Sequence, residues 1–318
     1  MSLKHTTKTL VFLNEHHDNC TLCGRAFEKD DTTHLGYIND KTLVNIGNCC
    51  SGNLTETIIR HVFRKRVYEI PPNDTVLWRF MDFTKFVSLL STSSLYFTRA
   101  DLFSDPFEGA KGVLKNKKKW DKLYLEFFKS AIENPPEPEP EKEKKSKDYV
   151  TIEAKRLLSQ LDSIGSRQQT ETFINCWHEN PYESEAMWKL YTSNLAQGIS
   201  IKTTYYKLYR ALNRNPSISI GRVNYIDYNK EFAGINDSFW YKRKSFEHEK
   251  EVRAIVKGFS SNGDYGKLIK VDLNILIDKI YISPTSPTWI IELVKDVLVK
   301  YGLNKKIEHS ELNEKPFH

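Results

Sequence analysis

Two cysteine pairs near the start restrict this chain more than any other feature: Cys20 and Cys23 in CTLCG, and Cys49 and Cys50 in GNCCSGN. If all four thiolates grip one ion, two segments far apart in sequence must meet at one point. A Cys-x2-Cys followed by Gly is a knuckle, a tight turn that sets two thiolates on one tetrahedral ion, with Gly24 free to take a positive φ. Adjacent cysteines on a strand would point to opposite faces, so Cys49 and Cys50 chelate together only if the chain turns between them, and Gly47 and Gly52 supply that turn. His17, His34 and His61 are alternative donors, and the ligand set stays open. No apolar run approaches the roughly 20 residues of a membrane helix, and the start lacks the apolar centre and cleavage site of a signal peptide. The expected location is therefore the cytoplasm, where clustered cysteines point to metal before disulfide. Four thiolates fill a tetrahedral sphere and leave no position for water, so the expected ion is a structural zinc.

The stretch HLGYINDKTLVNIG reads as a hairpin and LTETIIRHVFRKR as a helix after it. Knuckle, hairpin and terminal helix resemble a small treble-clef-like zinc module over residues 1–68. With few large apolar side chains, such a module gains much of its stability from the ion.

YEIPPNDT (68–75) reads as a linker or turn, and beyond it a second domain is expected over 69–318. TVLWRFM, SLYFTRADLF, TFINCWHEN, GISIKTT, ISIGRVNYIDY, VRAIVKGF and GKLIKVDLNILIDKIYISP read as strands. DFTKFVSLLSTS with Asp82 as its cap, NKKKWDKLYLEFFKSAIEN, DYVTIEAKRLLSQLDSIGSRQQT, SEAMWKLYTSN starting at Ser184, YYKLYRALNRN, and PTWIIELVKDVLVKYG stopping at Gly302 read as helices. A proline-broken, charged insertion interrupts them over 131–149. Strands and helices do not alternate strictly, so the fold class is α+β, with a mixed, largely antiparallel sheet. There is no Gly-rich phosphate loop, HExxH or GxSxG, which removes the familiar signatures of nucleotide hydrolysis, metalloproteolysis and serine hydrolysis. A net charge of +6 permits an acidic partner without establishing one.

FWYKRKSFEHEKEVRAIV (239–256) loads charge directly before an apolar strand, where an unpaired charge is expensive. Alternation puts Glu249, Glu251 and Arg253 on one face and Val252, Ala254 and Val256 on the other. Two readings stay open: an ion-pair ladder with Lys244 and Arg79 as partners, or a polar site at the mouth of a sheet. Asp105 and Glu108 read as caps of the turn after the second strand, and Trp188 and Tyr191 sit at helical spacing. Cys176 beside Trp177 and His178 is a weak nucleophile candidate, because neighbouring strand residues face opposite ways.

LWRF (77–80), SLYFTRADLFSDPFEG (94–109), CWHENPYESEAMWKLYT (176–192), GISI (198–201), VNYIDY (223–228) and KSFEHEKEVRAIV (244–256) together resemble the bacterial domain-of-unknown-function 2971 family over roughly residues 75–260. Ser104 departs from that family's usual Asn before Asp105 and Pro106. The cysteine module lies outside the resemblance. A strand with Arg, a second with Tyr and small hydroxyls, and a later Glu-x-Glu strand further resemble the arrangement in ADP-ribosyltransferases, which split NAD in a cleft. That likeness implies Arg79 holding the cofactor, Tyr96 or Thr98 lining a nicotinamide pocket, and Glu249 or Glu251 as the catalytic carboxylate. Trp188, Tyr191 and Arg253 would be further cofactor contacts. The implied function is an NAD-dependent transferase or glycohydrolase of a bacterial toxin or defence effector, with the module docking a protein or nucleic-acid target. The alternatives are a non-catalytic nucleotide- or protein-binding module, and a nuclease with Asp105, Glu108, Glu249 and Glu251 as magnesium ligands.

Overall fold

The computed structural model describes residues 18–28, 31–39, 42–63, 66–134, 146–215, 217–234, 237–258 and 264–318, with only the backbone described at His61 and Val62. His17 lies outside the described residues, as do residues 135–145 of the expected insertion.

The head is a three-stranded antiparallel sheet in the order β2-β1-β3, from β1 (Thr32–Ile38), β2 (Thr42–Gly47) and β3 (Glu56–Val62). The hairpin stands as expected. The helix expected over LTETIIRHVFRKR, and with it the treble-clef ending, is instead strand β3. Its Thr57, Ile58 and Ile59 are β-branched, which favours a pleated strand over a helix. A bulge at Leu35/Gly36 brings the chains close: a Cβ on Gly36 would lie 2.1 Å from the Glu56 carbonyl oxygen. Among the described residues the buried apolar cluster here is Cys20, Phe27, Val44, Ile46 and Phe63, with Leu35 also buried.

The rest of the chain builds on a nine-stranded sheet. Its strands are β4 (Val76–Asp82), β5 (Ser94–Arg99), β6 (Thr172–Glu179), β7 (Gly198–Thr204), β8 (Ile218–Arg222), β11 (Glu251–Lys257), β12 (Gly266–Lys270), β13 (Lys279–Ile282) and β14 (Lys306–His309). Two short parallel strands, β9 (Asn224–Ile226) and β10 (Tyr241–Arg243), stand apart. The helices are α1 (Phe83–Thr92), α2 (Lys117–Glu133), α3 (Lys147–Glu171), α4 (Glu185–Tyr191), α5 (Tyr205–Ala211), α6 (Leu273–Leu276) and α7 (Thr288–Lys300). The fold is α+β, and every pair in the large sheet is antiparallel except β13 with β14. Ser184 caps α4, its hydroxyl accepting from the Met187 N–H at 3.3 Å. Asp82 precedes α1 but caps nothing there, since its carboxylate accepts from the Ser193 N–H at 2.7 Å. The segment read as a linker is docked on the large domain, with Tyr68 stacked on Trp240 at 4.0 Å between ring centroids.

One face of the sheet carries the main core, a single cluster that includes Val252 and Ala254, Phe86, Leu89 and Leu90 of α1, and Ile290, Val294 and Leu298 of α7. The feature that positions a site is a fork. Strand β11 covers one edge of β6 along its length, from Glu251↔His178 to Lys257↔Thr172. The other edge is shared: β5 pairs only at Ile174 and Phe173, and β4 only at Glu179 and His178. Strands β4 and β5 therefore run parallel, are joined through α1, and splay apart beside Asn175, Cys176 and Trp177. Buried backbone groups need partners, and side chains supply them in the gap. Asn175 Nδ2 donates to the Tyr96 carbonyl at 2.8 Å, and Arg79 Nη1 donates to the Cys176 carbonyl at 2.7 Å.

Candidate functional site

Two sites emerge, one in each region. In the head, the sulfurs of Cys20, Cys23, Cys49 and Cys50 lie within 4.8 Å of one another, with Cys23 and Cys49 at 3.6 Å. Metal–sulfur bonds of about 2.3 Å in a tetrahedron put sulfurs about 3.8 Å apart, so the spacing fits a single ion. The knuckle forms as its glycine requires, with Gly24 at φ 73° and its N–H donating to the Cys20 carbonyl at 2.8 Å. Burial pushes the Cys20 thiol up, but the backbone N–H groups of Cys23, Gly47 and Leu22 outweigh it and bring it down to about 6. Arg25 bonds both Cys49 and Asp31, adding positive charge beside the thiolates. His34 is not among the gathered donors, and its Nε2 meets Asn48 Oδ1 at 2.8 Å. The side chain of His61 is outside the described residues. Four thiolates in this arrangement are able to hold a metal ion.

In the large domain, the fork opens into a cleft of about 420 Å³. Arg79, Tyr96, Thr98, Tyr191, Glu249 and Glu251 all line it. Trp188 and Arg253 do not. Trp188 is fully buried against Trp78, Phe80, Met187 and Tyr281, and its Nε1 donates to Glu183 at 3.0 Å. It faces the core because it lies on the inner side of α4, whereas Tyr191 is 43% exposed.

Arg253 is also wholly buried, at the centre of an ion network. It donates to Glu108 at 2.5 and 2.8 Å, to Glu251 at 2.6 and 3.2 Å, and to the Phe239 carbonyl at 2.6 Å. Lys242 bridges onward, reaching Glu251 at 3.3 Å and Glu249 more closely. The expected ladder thus exists with different partners: Lys242 and Glu108 take the places given to Lys244 and Arg79. Lys244 is exposed. Glu108 is an anchor of the network as well as part of a turn, while Asp105 does cap that turn, accepting from the Phe107 N–H at 3.0 Å. Burial raises Glu251, but Arg253 and then Lys242 overcome it and hold its carboxyl at about 2.

Glu251, Arg253 and Ile255 share a face, opposite Val252 and Ala254, as alternation requires. Glu249 does not belong to that strand. It ends a 3-10 turn (Lys244–Glu249), and Lys250 at φ 40° breaks the backbone before β11 begins. Its carboxylate still reaches the cleft and the network because the turn folds back over Lys242.

Arg79 differs from every other cation here. Its guanidinium lies 5.8 Å over the Trp177 ring and has no carboxylate partner among the described residues. Burial lowers its pKa, and no carboxylate among the described residues offsets the cost.

His178 and Cys176 also line the cleft, on the same face because they are two residues apart. His178 Nδ1 meets the Glu249 carbonyl at 2.6 Å, which assigns the proton to Nδ1, and its buried Nε2 has no partner among the described residues. Burial lowers its pKa and favours this neutral form. Burial and then Glu251 raise Cys176 well above an ordinary thiol, so it is not a nucleophile at rest. Sequence reasoning set His178 aside by pairing it with its immediate neighbour, and the period-two signal that joins it to Cys176 was available. Lys242 was missed for another reason: nothing local marks which of several consecutive cations turns inward. No family model and no curated protein matches this chain.

Proposed function

We propose that the cleft binds NAD and that the protein cleaves it or transfers its ADP-ribosyl group, with Arg79 on the phosphates and Glu249 as the carboxylate facing the ribose. The observation that carries this reading is an unneutralised guanidinium and two buried carboxylates lining one cleft. A desolvated cation without an acid is completed by an anionic ligand. Tyr96 and Tyr191, each more than two-fifths exposed, offer ring faces to a nicotinamide or adenine. Strand segments LWRF, SLYFT and CWH, which carry the resemblance to the domain-of-unknown-function 2971 family, supply much of the cleft wall.

The chemistry follows from the charge arrangement. As the ribose C1′–N bond breaks, its electron pair leaves with nicotinamide and positive charge develops on the sugar. A carboxylate fixed nearby stabilises that charge more than it stabilises the ground state. Water, or a nucleophile of the target, then bonds to C1′ and loses its proton. Glu249 suits this role better than Glu251, whose two oxygens are both taken by Arg253 and Lys242. In the head we take the ion to be zinc, for which four thiolates are a closed structural set, and the head to be the docking element for a target of a defence effector or toxin. The magnesium-dependent alternative has less support. Asp105, Glu108, Glu249 and Glu251 are each held by Arg243, Arg253 or Lys242, and among the described residues only the four cysteines gather closely enough for an ion.

Incubation with NAD, following nicotinamide by chromatography, tests the proposal. Turnover is expected, with kcat falling by about 100-fold or more in Glu249→Gln and NAD binding weakening by about 10-fold or more in Arg79→Met. Calorimetric binding without turnover would convert the cleft into a recognition module. Absence of both overturns the reading.

A further inference from the structure

A second pocket, of about 320 Å³, opens between segment 109–114 and the α2/α3 hairpin, and it shares no lining residue with the cleft. Lys111, Lys117, Trp120, Asp162, Gly165 and Phe232 are among its walls. Lys111 Nζ donates once, to the Leu161 carbonyl at 3.1 Å, and sits 5.3 Å over the Trp120 ring. It has no carboxylate partner among the described residues. The nearest acid in the wall, Asp162, is held by Lys117 at 2.9 Å, and Lys117 also holds Asp121 at 2.6 Å. Burial lowers the pKa of Lys111. Trp120 is 4% exposed, and its buried indole Nε1–H has no acceptor among the described residues.

The two incompletely satisfied groups are both donors, and one is a cation. A buried donor without an acceptor is costly, and a partly desolvated ammonium favours an anion beside it. Gly165 keeps the ammonium uncovered: a Cβ there would stand 3.6 Å from Lys111 Nζ, and a longer side chain would extend over it. Phe232 gives the pocket an apolar wall for the body of a small molecule.

We propose that this pocket is a second ligand site, for a small oxyanion: a carboxylate or phosphate whose oxygens accept from Lys111 Nζ beside the Trp120 indole. The site is independent of the NAD reading, since neither its residues nor its ligand class depends on the cleft.

Nitrogen-proton correlation spectra of the 15N-labelled chain test it directly, because each of the six tryptophans gives one indole N–H signal. Trp120→Phe identifies the Trp120 signal. Inorganic phosphate and acetate are titrated separately at constant ionic strength. The expected result is a saturable shift of the Trp120 signal with at least one probe, at a Kd in the roughly millimolar range, and the two arms tell phosphate from carboxylate. Lys111→Met weakens that binding by about 10-fold or more, and Gly165→Leu, which fills the pocket from a helix, does the same. Arg79→Met leaves it unchanged. Three results each overturn the proposal: no saturable shift up to about 50 mM, far above that Kd; a shift that survives both Lys111→Met and Gly165→Leu; or one abolished by Arg79→Met, which assigns the anion to the cleft.

Discussion

The head and the large domain both enclose groups that an apolar interior does not tolerate alone, and they solve the problem in opposite ways. The head gathers four thiols beside a small buried cluster and is able to hold a metal ion there, a cation from outside the chain. The large domain carries its own counter-ions: Glu108, Arg253, Glu251, Lys242 and Glu249 alternate in sign through one buried chain of contacts. What differs is the size of the scaffold. A small core cannot offset the cost of ordering its chain without a bound ion. A nine-stranded sheet positions distant side chains well enough to pair with one another, and it buries Arg79 without a carboxylate partner among the described residues.

Withholding metal from the head is expected to break the comparison most visibly. Chelation, or Cys20→Ser with metal content checked by elemental analysis, should abolish hydrogen-exchange protection in β1 to β3, because bound structural metal supplies on the order of 10 kcal/mol to modules of this kind. Protection in β6 and β11 should persist. A head that keeps its protection without metal removes the distinction between the two regions.

Arg253→Met tests the self-neutralised half. It strands Glu108 as a buried carboxylate and leaves Glu251 with Lys242 alone, and chemical denaturation should show a loss of about 3–5 kcal/mol. Arg79→Met, which strands no acid, should cost far less by the same measurement. Equal losses in the two variants would erase the difference between network and site.

Acid titration sharpens the same point through its sign. Glu251 falls from an ordinary carboxyl value to about 2 on folding, so its contribution is present above pH 4.5 and is lost as pH falls from there toward 2. That loss is on the order of 3 kcal/mol. The lowered pKa of His178 works in the same direction: below its ordinary value of 6.5 the unfolded chain takes up the proton first, and stability falls. A denaturation series in which stability is flat from pH 6.5 to 3 would contradict both shifts. The smallest effect is expected from Lys244→Ala, under about 0.5 kcal/mol, whereas Lys242→Met, two residues earlier in the sequence, leaves two buried glutamates without their shared cation.

Local periodicity made much of the fold legible. Most strands and helices fall where period two and period 3.6 place them, and Ser184 and Gly302 end their helices as capping chemistry requires, Gly302 at φ 66°. The exceptions are informative. Residues 56–62 form a strand because β-branched side chains there gain a partner in β1, and β14 is a four-residue edge strand too short and too polar to announce itself. In the cleft, Arg79, Tyr96, Thr98, Tyr191, Glu249 and Glu251 were nameable from their segments, while Trp188 and Arg253 were named and turned inward.

By itself the sequence determined the knuckle, the face that Glu251 and Arg253 share, and the α+β class, because each depends on spacing within a few residues. Only the tertiary structure decided that Arg253 would find Glu108, 145 residues away, that Lys242 and not Lys244 would join them, and that β4 and β5 would part beside Cys176 to leave Arg79 without an acid. Coulombic pairing and hydrogen bonding act over a few ångströms of space, and chain distance carries no record of which groups the packing brings within that range.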